Sequence, residues 1–150
     1  MNIQRVKQGA KITLYSGYYS IVLGFYFIFI FYYNMKLNFK AIDELWGFFS
    51  KYNPDIAYIF ILFNILIGIQ LIAAGIMIIY LSDFIIKRKD KMTWVMLFII
   101  GLIEWAGLLT VSVLLKNWVL VGASLLGWII FIIGMMLPLR YYLEKNYREY

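Results

Sequence analysis

The sequence predicts an all-α membrane protein: an antiparallel four-transmembrane-helix bundle with a short interfacial amphipathic helix in its first external loop. Three observations point there. Of 150 residues, 64% are hydrophobic and only 15% are charged, far from the balance of a soluble domain of this size. Four stretches, 12–35, 56–82, 92–115 and 118–139, are apolar and nearly free of charge. Each exceeds the roughly 20 residues that cross about 30 Å of hydrocarbon as a helix. Finally, the Lys and Arg residues gather beside these stretches. A soluble core built from the twelve Phe, thirteen Tyr and five Trp rarely contains apolar runs this long, so residues 1–150 read as a single integral membrane domain.

The first run is too long for the apolar core of a signal peptide and no small-residue cleavage site follows it, so it is expected to stay as an anchor. After it, residues 36–55 carry Phe39, Ile42, Leu45, Trp46 and Phe49 at helical spacing, with Lys40, Asp43, Glu44 and Lys51 on the other side and Asn53-Pro54 as the stop. That segment should lie flat on the outer surface, either as a connector with Trp46 in the aromatic belt or as a lid or docking helix. Lys116 and Asn117 alone separate the third and fourth runs, which demands a tight antiparallel hairpin. The tail 140–150 offers Arg140–Glu144, Glu144–Arg148 and Lys145–Glu149 at i, i+4 and is expected to prolong the fourth helix into the cytoplasm. Its tyrosines suit the headgroup level.

Lys and Arg beside the spans divide ten to four. Arg5, Lys7, Lys11, Lys87, Arg88, Lys89, Lys91, Arg140, Lys145 and Arg148 fall on one side, and Lys36, Lys40, Lys51 and Lys116 on the other. The positive-inside rule then places both termini in the cytoplasm. The same clustering assigns the net charge of +6 to the lipid surface rather than to nucleic acid. With no Cys and no His, disulfides, thiol nucleophiles, Ser-His triads and the usual haem and zinc ligands drop out. No catalytic, phosphate-binding or metal motif is present, and no cofactor is implied.

Glycines recur seven apart in three spans: Gly17 and Gly24, Gly68 and Gly75, Gly127 and Gly134. Two turns separate each pair, so each lies on one stripe, where small residues let backbones approach in lipid. Span two adds Asn64, Leu71 and Ser82 to its glycine face, while Gln70 points about a third of a turn away.

Glu104 is the charged residue inside the apolar runs, twelve residues past Met92 and therefore about 18 Å along its helix, close to the midplane. Gly101 and Gly107 flank it by about one turn. Inserting a central acid costs about 2.5–3.5 kcal/mol, which roughly a dozen large apolar residues at about 0.3–0.6 kcal/mol each outweigh. No Lys, Arg or His lies within the spans, so the neutral acid is favoured and becomes a hydrogen-bond donor. Gln70, at similar depth, or the hydroxyl of Tyr18 or Tyr19 is the expected acceptor.

Two functions fit this pattern. The first is a non-enzymatic subunit or scaffold of a membrane complex, contacting other membrane subunits or a second copy of itself through the glycine-lined faces and Glu104. The alternative is a small oligomeric transporter or channel, coupled to a proton or cation at Glu104. A lipid-directed enzyme fits less well, because Asp43 and Glu44 are adjacent in sequence rather than set to face one substrate.

Overall fold

The computed structural model describes residues 2–30, 33, 36 and 45–144. Six helices have defined bounds among the described residues: α1 (Asn2–Phe29), α2 (Trp46–Tyr52), α3 (Pro54–Arg88), α4 (Lys91–Leu114), α5 (Trp118–Met136) and α6 (Leu139–Glu144). There is no strand among the described residues. Four helices, α1, α3, α4 and α5, are long and apolar enough to cross a membrane, which makes this an integral membrane protein.

Helix α1 departs most from the apolar run that announced it. It starts at Asn2 and ends at Phe29, whereas the hydropathy pattern runs from Ile12 to Met35. The reason is amphipathicity. Arg5, Lys7, Gln8 and Lys11 are exposed while Val6, Gly9, Ala10 and Thr13 are buried, so a helix face that hydropathy averages away packs against its neighbours. The amphipathic loop pattern falls mostly on residues 37–44, outside the described residues. Its described remainder is α2, which stops at Tyr52, and Pro54 then opens α3 in the first-turn position where proline needs no N–H partner.

Backbone chemistry explains the connections. Lys89 takes a left-handed conformation (φ 53°) and its N–H closes the end of α3 on Ile85 O. Asp90 then caps α4, its carboxylate accepting from Thr93 N at 2.8 Å and Thr93 Oγ1 at 2.7 Å. After α4, Lys116 N donates to Val113 O at 3.0 Å and Asn117 N to Ser112 O at 3.1 Å, a Schellman closure with Lys116 at φ 51°. Asn117 in turn accepts from Leu120 N at 3.2 Å, starting α5. Tail residues 145–150 and the side chain of Glu144 lie outside the described residues, and with them all three expected ion pairs. Up to Glu144 the chain does not simply prolong α5: Pro138, which has no N–H to give, separates α5 from the short α6.

The helices touch in cyclic order, α1 with α3 and α5, and α4 with α3 and α5. The buried face of α3 is Asn64, Gly68, Leu71, Gly75, Ile78, Ser82 and Ile85, alternating steps of four and three, the heptad spacing of helices that run side by side. Its glycines meet those of α1 in antiparallel register. A Cβ on Gly24 would stand 2.6 Å from Gly68 O, and one on Gly75 2.7 Å from Gly17 O. On the other side of α1, a Cβ on Gly9 would stand 2.6 Å from Gly134 O and 2.7 Å from Pro138 Cδ. No side chain fits at these three crossings.

Candidate functional site: a cleft between α3 and α4

Helices α1 and α4 face each other diagonally, and two long side chains of α4 reach across. Trp105 donates its indole N–H to Ser16 Oγ at 2.9 Å, with its ring stacked on Tyr19, centroids 5.8 Å apart. Next to it, the Glu104 carboxyl meets Ser20 Oγ through Oε1. Ser20 Oγ also lies 2.8 Å from Leu71 O on α3. A hydroxyl has one proton and a carbonyl only accepts, so Ser20 serves both neighbours at once when Glu104 carries the proton and donates to it. Glu104 Oε2 is buried and has no hydrogen-bond partner.

The expected acceptors for Glu104 are thus replaced by Ser20, and helix phase is the cause. Ser20 is fully buried on the inner face of α1, whereas Tyr18, two residues away, is exposed. Tyr19 points toward α5 and donates to Ala123 O at 3.1 Å. Gln70 is exposed on α3 and lies in the cleft described next.

Beside Glu104, α3 and α4 part to leave a cleft of about 780 Å³, within the range of about 300–1,000 Å³ typical of small-molecule sites. Its wall is apolar, with Phe27 from α1 and Phe60 and Phe63 from α3 among its residues, and Asn64, Gln70 and Glu104 supply polar side chains. Asn64 is buried and donates to Phe60 O at 3.0 Å. The three polar residues singled out from sequence therefore share one cleft. It reaches from their level toward the ends of the helices at Leu115 and Phe60.

Glycines divide by role. Gly17, Gly24, Gly68, Gly75 and Gly134 sit against neighbouring backbone or side chains, Gly101 against the Phe131 ring and Gly127 against the Trp105 ring. All seven meet partners within the chain. Gly107 differs: a Cβ there would meet nothing within 4 Å, and the residue lines the cleft. Sequence reasoning passed over Ser16, Trp105 and Gly9. Ser16 and Ser20, one turn apart on a stripe of small residues, were the available signal, but one sequence does not say which helices face each other.

No group of three or more potential metal ligands occurs among the described residues. No protein-family model, curated protein or solved structure matches this chain.

Proposed function

We propose that the chain is an antiparallel bundle of four membrane-crossing helices with both termini in the cytoplasm, and that it works by binding, as the guest-receiving subunit of a membrane complex. The guest enters the α3–α4 cleft sideways from the bilayer. One observation carries this reading: Asn64, Gln70 and Glu104 line a single apolar cleft, while the glycine faces that a scaffold would offer to partners are filled from within the chain. Polar groups at membrane depth cost free energy and mark sites of interaction. The orientation is supported by Arg5, Lys7, Lys11, Lys87, Arg88, Lys89, Lys91 and Arg140 at one end against Lys36, Lys51 and Lys116 at the other. In the same bilayer frame, α2 belongs to the surface connector.

A second reading, a small proton- or cation-coupled carrier, draws on Ser20. Its oxygen lies within hydrogen-bond reach of both Leu71 O and Glu104 Oε1, so loss of the Glu104 proton leaves one hydroxyl proton for two acceptors. That competition couples the protonation of Glu104 to the contact between α1 and α3.

The test is to fill the cleft. Gly107→Phe places a ring in open space lining it, and Gly122→Phe does the same at a position that is also open but outside it. A neutral alkyl diazirine in nanodiscs should photolabel cleft residues of α3 and α4 in the wild type and in Gly122→Phe, but not in Gly107→Phe. Equal labelling of all three proteins would overturn the reading.

A further inference from the structure

Resting on the cleft reading, the chemistry of the wall narrows the guest. We propose that the cleft binds a lipophilic amine, with its nitrogen at Glu104 and its apolar body between α3 and α4.

Four observations converge. Glu104 lines the cleft with one carboxyl oxygen held by Ser20 and the other without a partner, so the carboxyl group has acceptor capacity that the fold leaves unused. No Lys, Arg or His lies in 12–29, 56–82, 92–114 or 118–136, so a cationic partner for this carboxylate has to come from outside those stretches. Depth is the third point. Glu104 lies near the middle of α4, while an ordinary membrane lipid keeps its polar head at the surface and brings only hydrocarbon to this level. A guest that uses Glu104, Gln70 and Asn64 therefore carries its polar group deep and its apolar part toward the Phe60 end, the reverse of an inserted surfactant. Lastly, the polar groups belong to a wall that includes Phe27, Phe60 and Phe63, and aromatic faces favour a cation or a polarised N–H.

The acid–base step balances without any further reactant. A neutral amine dissolves in the bilayer and reaches the neutral carboxyl group. The carboxyl group turns so that its O–H faces the amine instead of Ser20, and that O–H bond breaks as a new N–H bond forms, leaving an ammonium paired with the carboxylate. Ser20 then turns its proton from Leu71 O to Oε1, and the ammonium donates to the remaining carboxylate oxygen. No net charge crosses hydrocarbon during loading. An alcohol of the same length satisfies one hydrogen bond but takes up no proton, so the pair separates charge recognition from simple burial.

The experiment uses the protein in nanodiscs of zwitterionic lipid, photolabelled by the neutral alkyl diazirine, with dodecylamine or dodecanol as competitor at equal bilayer mole fraction. Dodecylamine should protect the cleft at a concentration at least about tenfold below that of dodecanol, the ratio expected when a charge-assisted hydrogen bond replaces a neutral one. Glu104→Gln, which keeps the shape but has no acid proton, should bring the amine back to the level of the alcohol. Equal protection by the two competitors in the wild type overturns the amine assignment, as does an unchanged preference in Glu104→Gln. Failure of Gly107→Phe to abolish labelling overturns the cleft itself, so the two failures are distinct. Should Glu104→Gln not fold, the wild-type ratio of amine to alcohol decides alone.

Discussion

Gly24→Ala probes whether close backbone approach between α1 and α3 holds the protein together. The added Cβ would stand 2.6 Å from Gly68 O and 3.0 Å from Ile72 N, and ordinary contact begins near 3.4 Å. Both are backbone atoms and cannot rotate aside. The helices must therefore part by about 0.8 Å at this level, the difference between 3.4 and 2.6 Å. A gap of roughly 0.5–1 Å forfeits about a quarter to a half of the dispersion attraction across it, and overpacking of this kind costs about 1–3 kcal/mol. Part of that is offset, because alanine is favoured over glycine within a helix by roughly 0.5–1 kcal/mol. Gly107→Ala supplies the reference, since its Cβ meets nothing within 4 Å and only the helix preference remains. Unfolding in mixed micelles of increasing SDS fraction should place Gly24→Ala below Gly107→Ala by about 1–3 kcal/mol. Gly24→Ala/Gly68→Ala should cost less than the sum of its parts, because both methyl groups demand the same gap. If Gly24→Ala and Gly107→Ala unfold together, the close-approach explanation fails.

Three other outcomes are expected. A double-mutant cycle of Ser20→Ala and Glu104→Gln should give a coupling of about 0.6–1.7 kcal/mol, from the average to the maximum for hydrogen bonds between membrane helices; zero coupling in the unfolding assay would remove the Ser20–Glu104 contact. Lys116→Gly should stabilise the α4–α5 hairpin by about 1 kcal/mol, because Lys116 holds φ at 51° where a side chain costs roughly 1–2 kcal/mol, and a lower midpoint would contradict this. Burial, with smaller contributions from Tyr141 and Asp90, pushes Tyr142 from 10.0 up to about 12. Its folded value lies above the unfolded one, so its contribution to stability is complete below pH 10 and is lost as pH rises through 12. Tyr142→Phe should hold its unfolding midpoint further into alkali than the wild type, and identical alkaline profiles would count against this.

How much was legible beforehand depended on whether one helix or two were needed to see it. Four helices long and apolar enough to cross a membrane follow from run length alone, and the buried stripe of α3, from Asn64 to Ser82, follows from the period of one helix. Gly17, Gly24, Gly68 and Gly75 announced close approach, but the pairing of Gly24 with Gly68 and of Gly17 with Gly75 required knowing which helices are neighbours. The same limit hid Ser20. Its hydroxyl is unremarkable on α1, and becomes the Glu104 partner only because α4 stands diagonally opposite and sends its glutamate across. Helix α1 begins before the apolar run for another reason: its first turns pack against neighbouring helices, and hydropathy cannot register a face buried by protein instead of lipid.

That last point explains the interior as a whole. The least hydropathic of the four long helices, α1, is more buried within the protein than α3 or α4 and as buried as α5. In water the order would be unexpected, but lipid accepts apolar surface without penalty and leaves small and hydroxyl residues to line the contacts. Thr13, Ser16, Ser20, Ser112 and Ser124 are all fully buried. Each is then required to find a partner, and each does: Thr13 donates to Gly9 O, Ser112 to Leu108 O and Ser124 to Val121 O, while Ser16 accepts from Trp105 and Ser20 meets Glu104. Ser82, Trp94, Trp128 and Tyr142 keep a buried polar atom unpaired, as Glu104 does. Of these five, Glu104 alone lines the cleft. A buried acceptor without a donor costs about 1–3 kcal/mol, and packing within the chain does not recover it. A guest bringing a donor to that oxygen would recover it, which is how the proposed amine would draw affinity from a contact that the fold leaves incomplete.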